Sequence, residues 1–542
     1  MFYINYFLIS FSILGYGIIL SKTFNLKMRN FGFLGFYGLS LLTFISYITA
    51  PFIIHNTSFN LFLLILGLLF FSLIFREKIN IKKNLITHLT VFFILVIFIT
   101  AAKTHDDFPY YHFPYSYLLT QIEHPVGLGH VNPGFRNASS LFFLNSLFYL
   151  PGTGIYLMHI YSVFFLGFAN IIFINFIFNK KNFENFKFLN FLSLISISFI
   201  NTFFYRMAEH GADRSGMIIV IIIALISSLI LKNINSSKLF KENLDLFFFI
   251  SILLALLASL KSIYLLYIPL GLIFLFFWKK NLFYILKNFA VIYSVIFVCI
   301  YLFYNYLNSG CIVYPADFIC FYELPWSLNR QLILHDNVWF ELWSKAGASP
   351  NYEINDRQLY ISGFNWLSNW INNYFFNKVS DYLLGLLFLV LIFYLFFLRK
   401  ETQNKIKNNY DFKNFLTLFL FFVLIFIEWF LKHPQLRYGG YHLIALLTFL
   451  SLSYHFNSFN MKYAVFLKKT KIIIAIVLVV YTGRNLNRLF VEKQSYNFNP
   501  LVSQNFYHDD RLFQYMEWIN ERKNGFLKVN ILGKDFLITK PN

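Results

Sequence analysis

Apolar runs long enough to cross a bilayer recur from one end of this 542-residue chain to the other. A hydrocarbon core ~30 Å thick takes about 20 such residues per helix. The runs fall at 2–20, 31–54, 60–75, 86–102, 155–178, 188–204, 215–231, 244–260, 262–278, 283–305, 380–398, 413–431, 438–456 and 463–481. A further stretch, 139–151, is apolar but short and ends at Pro151, so it reads as re-entrant or interfacial. Charged residues make up only 13% of the chain, against about 25% in a soluble domain. A soluble core stops growing near ~250–300 residues and still needs polar cover, which this chain cannot supply. A soluble enzyme, a nucleic-acid-binding protein and a disordered protein are therefore excluded. The sequence predicts an all-α, polytopic transmembrane bundle of about 14 spans.

Orientation follows from the charges. The 45 Lys and Arg against 25 Asp and Glu read through the positive-inside rule, because cytoplasmic loops collect Lys and Arg. Connectors after odd-numbered spans hold Lys22, Lys27 and Arg29; Arg76, Lys78, Lys82 and Lys83; Lys180, Lys181 and Lys187; Lys232, Lys238 and Lys241; Lys279, Lys280 and Lys287; Arg399, Lys400, Lys405, Lys407 and Lys413; and Lys462, Lys468, Lys469 and Lys471. Even-numbered loops carry His, Asp, Glu, Arg, Trp, Gly and Pro instead. They are predicted to face outward, together with both termini. Residues 1–20 lack a basic start, so no cleavable signal peptide is expected. Three regions result: extra N-terminal spans over 1–85, a core over 86–482 with outward loops 103–140 and 306–378, and an outward tail over 483–542 with no assigned role.

Cys311 and Cys320 sit nine apart in the second outward loop. An outward loop meets an oxidising compartment, which favours a disulfide over two free thiols. Cys299 lies inside an apolar run and reads as a small core residue.

The outward segment 103–136 concentrates His105, Asp106, Asp107, His112, Glu123, His124, His130 and Arg136 beside Gly and Pro. A solvated loop is the plain alternative, yet it has no call for so much His beside paired Asp. A second outward hairpin holds Arg206, His210, Asp213 and Arg214, which share one face if 206–214 is helical. An ion-paired cap tying two helices together explains that set equally well. Lys261, at the turn inside 244–278, either snorkels to the surface or meets a phosphate. Arg437 opens a late span, where a buried partner and a positioning role are the two readings. All of these fall on one side of the membrane by a topology derived from other residues. Carboxylates among Lys, Arg and His suit sugar transfer from a lipid-linked phosphate: a base takes the acceptor's proton, and cations hold the leaving phosphate. A glycoside hydrolase would want two facing carboxylates, and adjacent Asp106 and Asp107 point apart.

Asp107, followed after three residues by Tyr111-His112 and then Pro114, resembles a pattern of the GT-C class of membrane glycosyltransferases. Arg437-Tyr438 resembles the Arg-Tyr that opens a late span there, and Lys261-Ser262-Ile263-Tyr264 resembles a Lys at a mid-chain outer hairpin. The 100–150 region is also similar to a family of bacterial multi-spanning proteins of uncharacterised activity. The GT-C resemblance implies Asp107 as base, with Asp106 the substitute. It implies phosphate contacts from Lys261 and Arg437, and less directly from Arg206, His210 and Arg214. His105, His112, His130 and Arg136 complete the candidate substrate-binding set. Donor and acceptor would be a polyprenyl-phosphate sugar and an envelope glycan or lipid, at the periplasmic face of a bacterial inner membrane and surrounded by membrane lipids. The class has metal-dependent and metal-independent members; no metal ligands are assigned here, and a divalent ion is left open as cofactor. The five Trp of the second loop, Trp326, Trp339, Trp343, Trp366 and Trp370, either cover the acceptor or anchor the loop at the interface. Two rival functions stand beside this one. A flippase of lipid-linked saccharides would want polar residues at mid-membrane depth. A metal-dependent hydrolase would use the four His, whose spacing matches no ligand motif.

Overall fold

The computed structural model of the chain describes residues 1–27, 30–76, 80–100, 107–206, 211–236, 239–347, 354–397, 410–496, 510–522, 526–531 and 534–539. The first helices are α1 (Phe2–Thr23), α2 (Phe31–Thr49), α3 (Thr57–Phe71) and α4 (Ile81–Leu95). Two short helices, α5 (Phe113–Gln121) and α6 (Ser140–Ser146), precede α7 (Tyr161–Ile177), α8 (Lys180–Phe203), α9 (Gly211–Lys232) and α10 (Phe240–Leu260). The chain goes on through α11 (Pro269–Phe277), α12 (Leu282–Leu286), α13 (Phe289–Ser309), α14 (Arg330–Lys345), α15 (Arg357–Ile361) and α16 (Leu367–Trp370). It ends with α17 (Ser380–Phe397), α18 (Phe412–Lys432), α19 (Gly440–Asn457), α20 (Tyr463–Tyr496) and α21 (Asp510–Arg522).

Among the described residues, eleven helices are long and apolar enough to cross a membrane, or up to twelve if the bent pair Ser262–Phe277 and Lys279–Leu286 counts as one span. The chain is thus an all-α multi-pass membrane bundle, with fewer such helices than the 14 expected. Eleven of the expected runs match these helices, and the ninth, 262–278, is the first member of the pair, bent by 88° against Lys279–Leu286. The last two runs are helical as α19 and α20 but fall outside the eleven. His442, His455 and Asn457 dilute the 18 residues of α19. Lys468, Lys469, Lys471 and Arg484 crowd the apolar stretch of α20.

Asn residues of the connectors and loops start the helices. Side chains of Asn30, Asn56, Asn80, Asn179, Asn288 and Asn329 each accept a hydrogen bond from a backbone N–H in the first turn that follows. A cap of this kind satisfies donors that the helix itself leaves open. Glycine then lets helices touch. A Cβ at Gly17 would overlap the Leu34 carbonyl, and one at Gly38 the Ile13 carbonyl. Close backbone approach of this sort is how helices pack in a medium that offers no hydrophobic drive between them. Through α2, which packs against α7 and α10, the N-terminal helices share one continuous core with the rest.

At one end of the bundle the loops are built rather than loose. The segment predicted as re-entrant or interfacial is the short buried helix α6, anchored where Ser139 Oγ donates to the Leu260 carbonyl at 2.6 Å. Cys311 and Cys320 are disulfide-bonded, a linkage that contributes about 2–3 kcal/mol for a loop this small. The tail adds the only sheet among the described residues, an antiparallel hairpin of β1 (Leu527–Ile531) and β2 (Lys534–Ile538). It docks on the first loop, with Val126 N donating to Leu537 O at 2.9 Å and Thr539 N to Val126 O at 3.0 Å.

Two buried histidines tie this end together. His55 hydrogen-bonds Thr49 Oγ1 at 2.9 Å and Ser146 Oγ at 2.7 Å. The His124 ring meets the Tyr115 hydroxyl at 2.8 Å, and its backbone N–H donates to the Ala50 carbonyl. Burial pushes both imidazoles down to about 3, well below the unfolded value near 6.5. The folded protein therefore holds both neutral, and the unfolded chain takes up protons first. Their stabilisation is complete above about pH 6.5 and is lost as pH falls from there toward 3. We expect the melting temperature to drop through that window and the drop to be shallower in His124→Gln, as read by thermal unfolding at a series of pH values.

Candidate active site

Four ionised side chains from four separate elements meet at this end of the bundle. Asp107 precedes the π turn Phe108–His112, whose Pro109 is set at the start where no backbone donor is needed. Asp213 stands in the first turn of α9, which begins at Gly211 with φ +47. Lys261 lies at the break after α10 in an extended conformation. Arg437 projects from the turn Leu436–Tyr438 between α18 and α19.

Arg437 is the hub. Its Nη2 donates to Asp107 Oδ2 at 2.7 Å, and its Nε lies 3.4 Å from Asp213 Oδ2. Lys261 Nζ donates to the other oxygen of Asp213 at 2.8 Å. Both cations also lie over the Tyr438 ring, Lys261 at 4.5 Å and Arg437 at 5.3 Å from its centre. The Tyr264 hydroxyl donates to the Asp213 carbonyl at 3.0 Å. The four side chains keep between 16% and 31% of their exposure, enough to be reached and little enough for charge to count. Burial alone would lower the Arg437 value, but the Asp213 carboxylate, Tyr438 and Asp107 raise it well above the usual one. Burial, reinforced by Asp107, raises the neighbouring Tyr111 hydroxyl, so it stays protonated.

The loop that carries Arg437 is bracketed from several directions. Trp370 Nε1 donates to the Pro434 carbonyl and Trp429 Nε1 to the Gln435 carbonyl, each at 2.8 Å. Gln435 Nε2 donates to the Trp343 carbonyl at 2.8 Å, and Leu436 N to the Tyr374 hydroxyl at 3.0 Å. Trp366 and Trp370 are buried, so two of the five Trp act as internal struts of the loop 306–378.

Of the residues expected from sequence, Asp107, Lys261 and Arg437 come together. His112 sits close by: a Cβ at Gly211 would come within 3.0 Å of its ring. Arg214 is buried, its guanidinium set 4.3 Å from the Phe204 ring centre and 4.5 Å from that of Tyr441. Arg136 points elsewhere, pairing with Asp336 and donating to the Tyr314 hydroxyl at 3.3 Å. It locks the loop 103–140 to the loop 306–378 and is held away from Arg437. His130 Nε2 donates to the Trp326 carbonyl at 3.1 Å. Arg206 lines a cavity that none of the four ionised side chains enters. Of the face expected over 206–214, Asp213 and Arg214 stand on α9, and residues 207–210 lie outside the described residues. His105, Asp106 and His210 lie outside the described residues.

Asp213 is the residue that sequence reasoning undervalued. Its signal was there: a carboxylate three residues into an apolar span, where a charge needs a partner. Asp107 and Asp213 share one guanidinium, and among the described residues no three His, Cys, Asp or Glu side chains converge as metal ligands. The arrangement has two carboxylates and two cations in balance, so an added anion must compete with a carboxylate for Arg437.

No curated protein and no solved structure matches the chain. A family model described as "Domain of unknown function (DUF8201)" matches residues 1–445, more than half of its length. The chain therefore belongs to the DUF8201 family.

Proposed function

We propose that this protein is a membrane glycosyltransferase that moves a sugar from a polyprenyl-phosphate donor to a glycan or lipid acceptor at the outer face of a bacterial inner membrane. The observation that carries the reading is the Asp107–Arg437–Asp213–Lys261 set, one chain of ion pairs at the loop end of the bundle. Its sidedness rests on the opposite end, where Lys187 donates to the Phe459 carbonyl at 2.7 Å amid basic connectors, the mark of a cytoplasmic face.

The mechanism is a direct displacement with inversion. The donor phosphate competes for the Arg437 guanidinium, whose fork geometry suits phosphate oxygens. As the phosphate takes that position, Asp107 is released toward the acceptor. The acceptor oxygen attacks the anomeric carbon while its proton passes to Asp107. The bond from that carbon to the phosphate oxygen breaks, and the electron pair stays on the phosphate. Arg437 and Lys261 hold the charge that develops there, and Asp213 keeps both cations aimed.

Arg437→Lys keeps the charge and loses the fork. We expect the turnover number for sugar transfer to fall about 10²-fold, the scale of losing one aimed donor, with a smaller change in KM for the donor. Steady-state kinetics over a donor series reads this split. Unchanged turnover in Arg437→Lys would remove Arg437 from the reaction.

A further inference from the structure

A cavity of about 550 Å³ opens at the end of the bundle opposite the four ionised side chains, between the first turns of α8 and the start of α20. The local sequence builds it. α8 breaks at Phe186, whose backbone leaves the helical conformation at φ −158 and ψ 77. Just past the break, Phe188 N donates to Asn457 Oδ1 at 3.0 Å. The Phe183 ring packs 4.7 Å from that of Phe466 on α20, and the Tyr463 hydroxyl donates to the Phe178 carbonyl at 3.1 Å. These contacts fix both helices, and Lys180, Glu184, Lys187 and Lys462 line the space left between them.

The charges around this cavity do not balance. Glu184 is the one acid in its lining, and it is engaged by Lys180, whose Nζ lies 3.6 Å from Glu184 Oε1. Lys187 Nζ donates to the Phe459 carbonyl at 2.7 Å and lies 5.8 Å from the Phe183 ring centre, so both of its partners are neutral. Among the described residues, no carboxylate pairs with Lys187 or with the exposed Lys462. Two ammonium charges therefore face the cavity without a counter-charge. Beyond Ala464, at its rim, α20 runs on with Val465, Ile472, Ile476 and Val479, which recur at helical spacing on one face and are 38 to 72% exposed. A soluble anion needs only the ammonium groups. A basic pocket that leads onto an exposed apolar strip matches a headgroup with a hydrocarbon chain attached. We propose that this cavity binds the phosphodiester of an anionic phospholipid, with Lys187 and Lys462 on the phosphate and an acyl chain along Val465, Ile472 and Ile476. The assignment does not rest on the transferase reading, since none of these residues belongs to the Asp107 set.

The test is native mass spectrometry of the full-length protein released from nanodiscs of phosphatidylglycerol and phosphatidylcholine, with and without millimolar inorganic phosphate at matched ionic strength. A basic residue near a membrane surface contributes about fivefold in affinity. Wild type should retain phosphatidylglycerol over phosphatidylcholine, and Lys187→Gln/Lys462→Gln should lose about 25-fold of that preference. Lys462→Glu reverses one charge at an exposed position, leaves the Lys187 contact to Phe459 in place, and should lose a comparable amount. Lys279→Gln/Lys280→Gln removes the same charge from two exposed positions outside the cavity and should keep the wild-type preference. Equal retention of the two lipids by wild type, a preference unmoved in Lys462→Glu, or an equal loss in Lys279→Gln/Lys280→Gln would overturn the proposal. Displacement of phosphatidylglycerol by inorganic phosphate would assign the cavity to a soluble phosphate and overturn its lipid occupant.

Discussion

Asp107→Asn is expected to lower the turnover number for sugar transfer by about 10²–10⁴-fold, the usual contribution of a general base. The substitution is close to isosteric. The Asn carbonyl can still accept from Arg437 Nη2, which donates to Asp107 at 2.7 Å. Arg437 also keeps Asp213, 3.4 Å from its Nε, so the loop 432–440 retains its brackets. What the variant loses is the ability to take a proton. Protein level and melting temperature should therefore stay near wild type, and donor binding should hold or tighten with one competing carboxylate gone, while turnover collapses. Asp107→Glu keeps the chemistry at a different reach and should recover part of the rate. Asp106→Asn should leave most of it. A purely structural Asp107 would give the reverse pattern: lower melting temperature in Asn and Glu alike, with residual activity following the amount of folded protein.

Asp213→Asn should produce the largest loss of stability from a single site change. Its carboxylate is 16% exposed and bridges Lys261 and Arg437. Removing one partner of a buried pair costs roughly 3–5 kcal/mol, because the other charge stays desolvated and unpaired. Here the low end applies, since Lys261 and Arg437 each keep about 30% of their exposure and water screens what remains. Thermal unfolding of the purified protein should show the drop. Asp213→Asn/Lys261→Met removes a carboxylate and an ammonium together and should regain about half of it, as coupled sites do. If Asp213→Asn melts with wild type, the carboxylate is not holding the two cations.

Most of the bundle was legible because hydropathy and length answer to one constraint, the thickness of the hydrocarbon core. The limits came from polar residues inside helices. His442, His455 and Asn457 make α19 a weaker apolar run than its place in the alternation suggested, and the run 262–278 bends with the helix that follows it. Three of the four charges at the candidate site, Asp107, Lys261 and Arg437, could be picked out because each sits beside a span end on the same side. Asp213 was read as part of a cap because its partners lie 48 positions away at Lys261 and farther still at Arg437. The pairing of Arg136 was equally out of reach, because its carboxylate, Asp336, is 200 positions along the chain. Loop parity tells which residues share a side, and only packing tells which of them touch.

The central claim is that the bond between sugar and lipid phosphate breaks at this protein. The most direct measurement incubates purified wild type and Asp107→Asn, reconstituted in vesicles, with radiolabelled polyprenyl-phosphate sugars and an envelope extract as acceptor. It follows free polyprenyl phosphate and labelled product together. The account predicts both from wild type, in equal amounts, and neither from Asp107→Asn at equal protein. Intact labelled lipid crossing the vesicle membrane with no polyprenyl phosphate released would contradict it and make the protein a carrier of lipid-linked sugars.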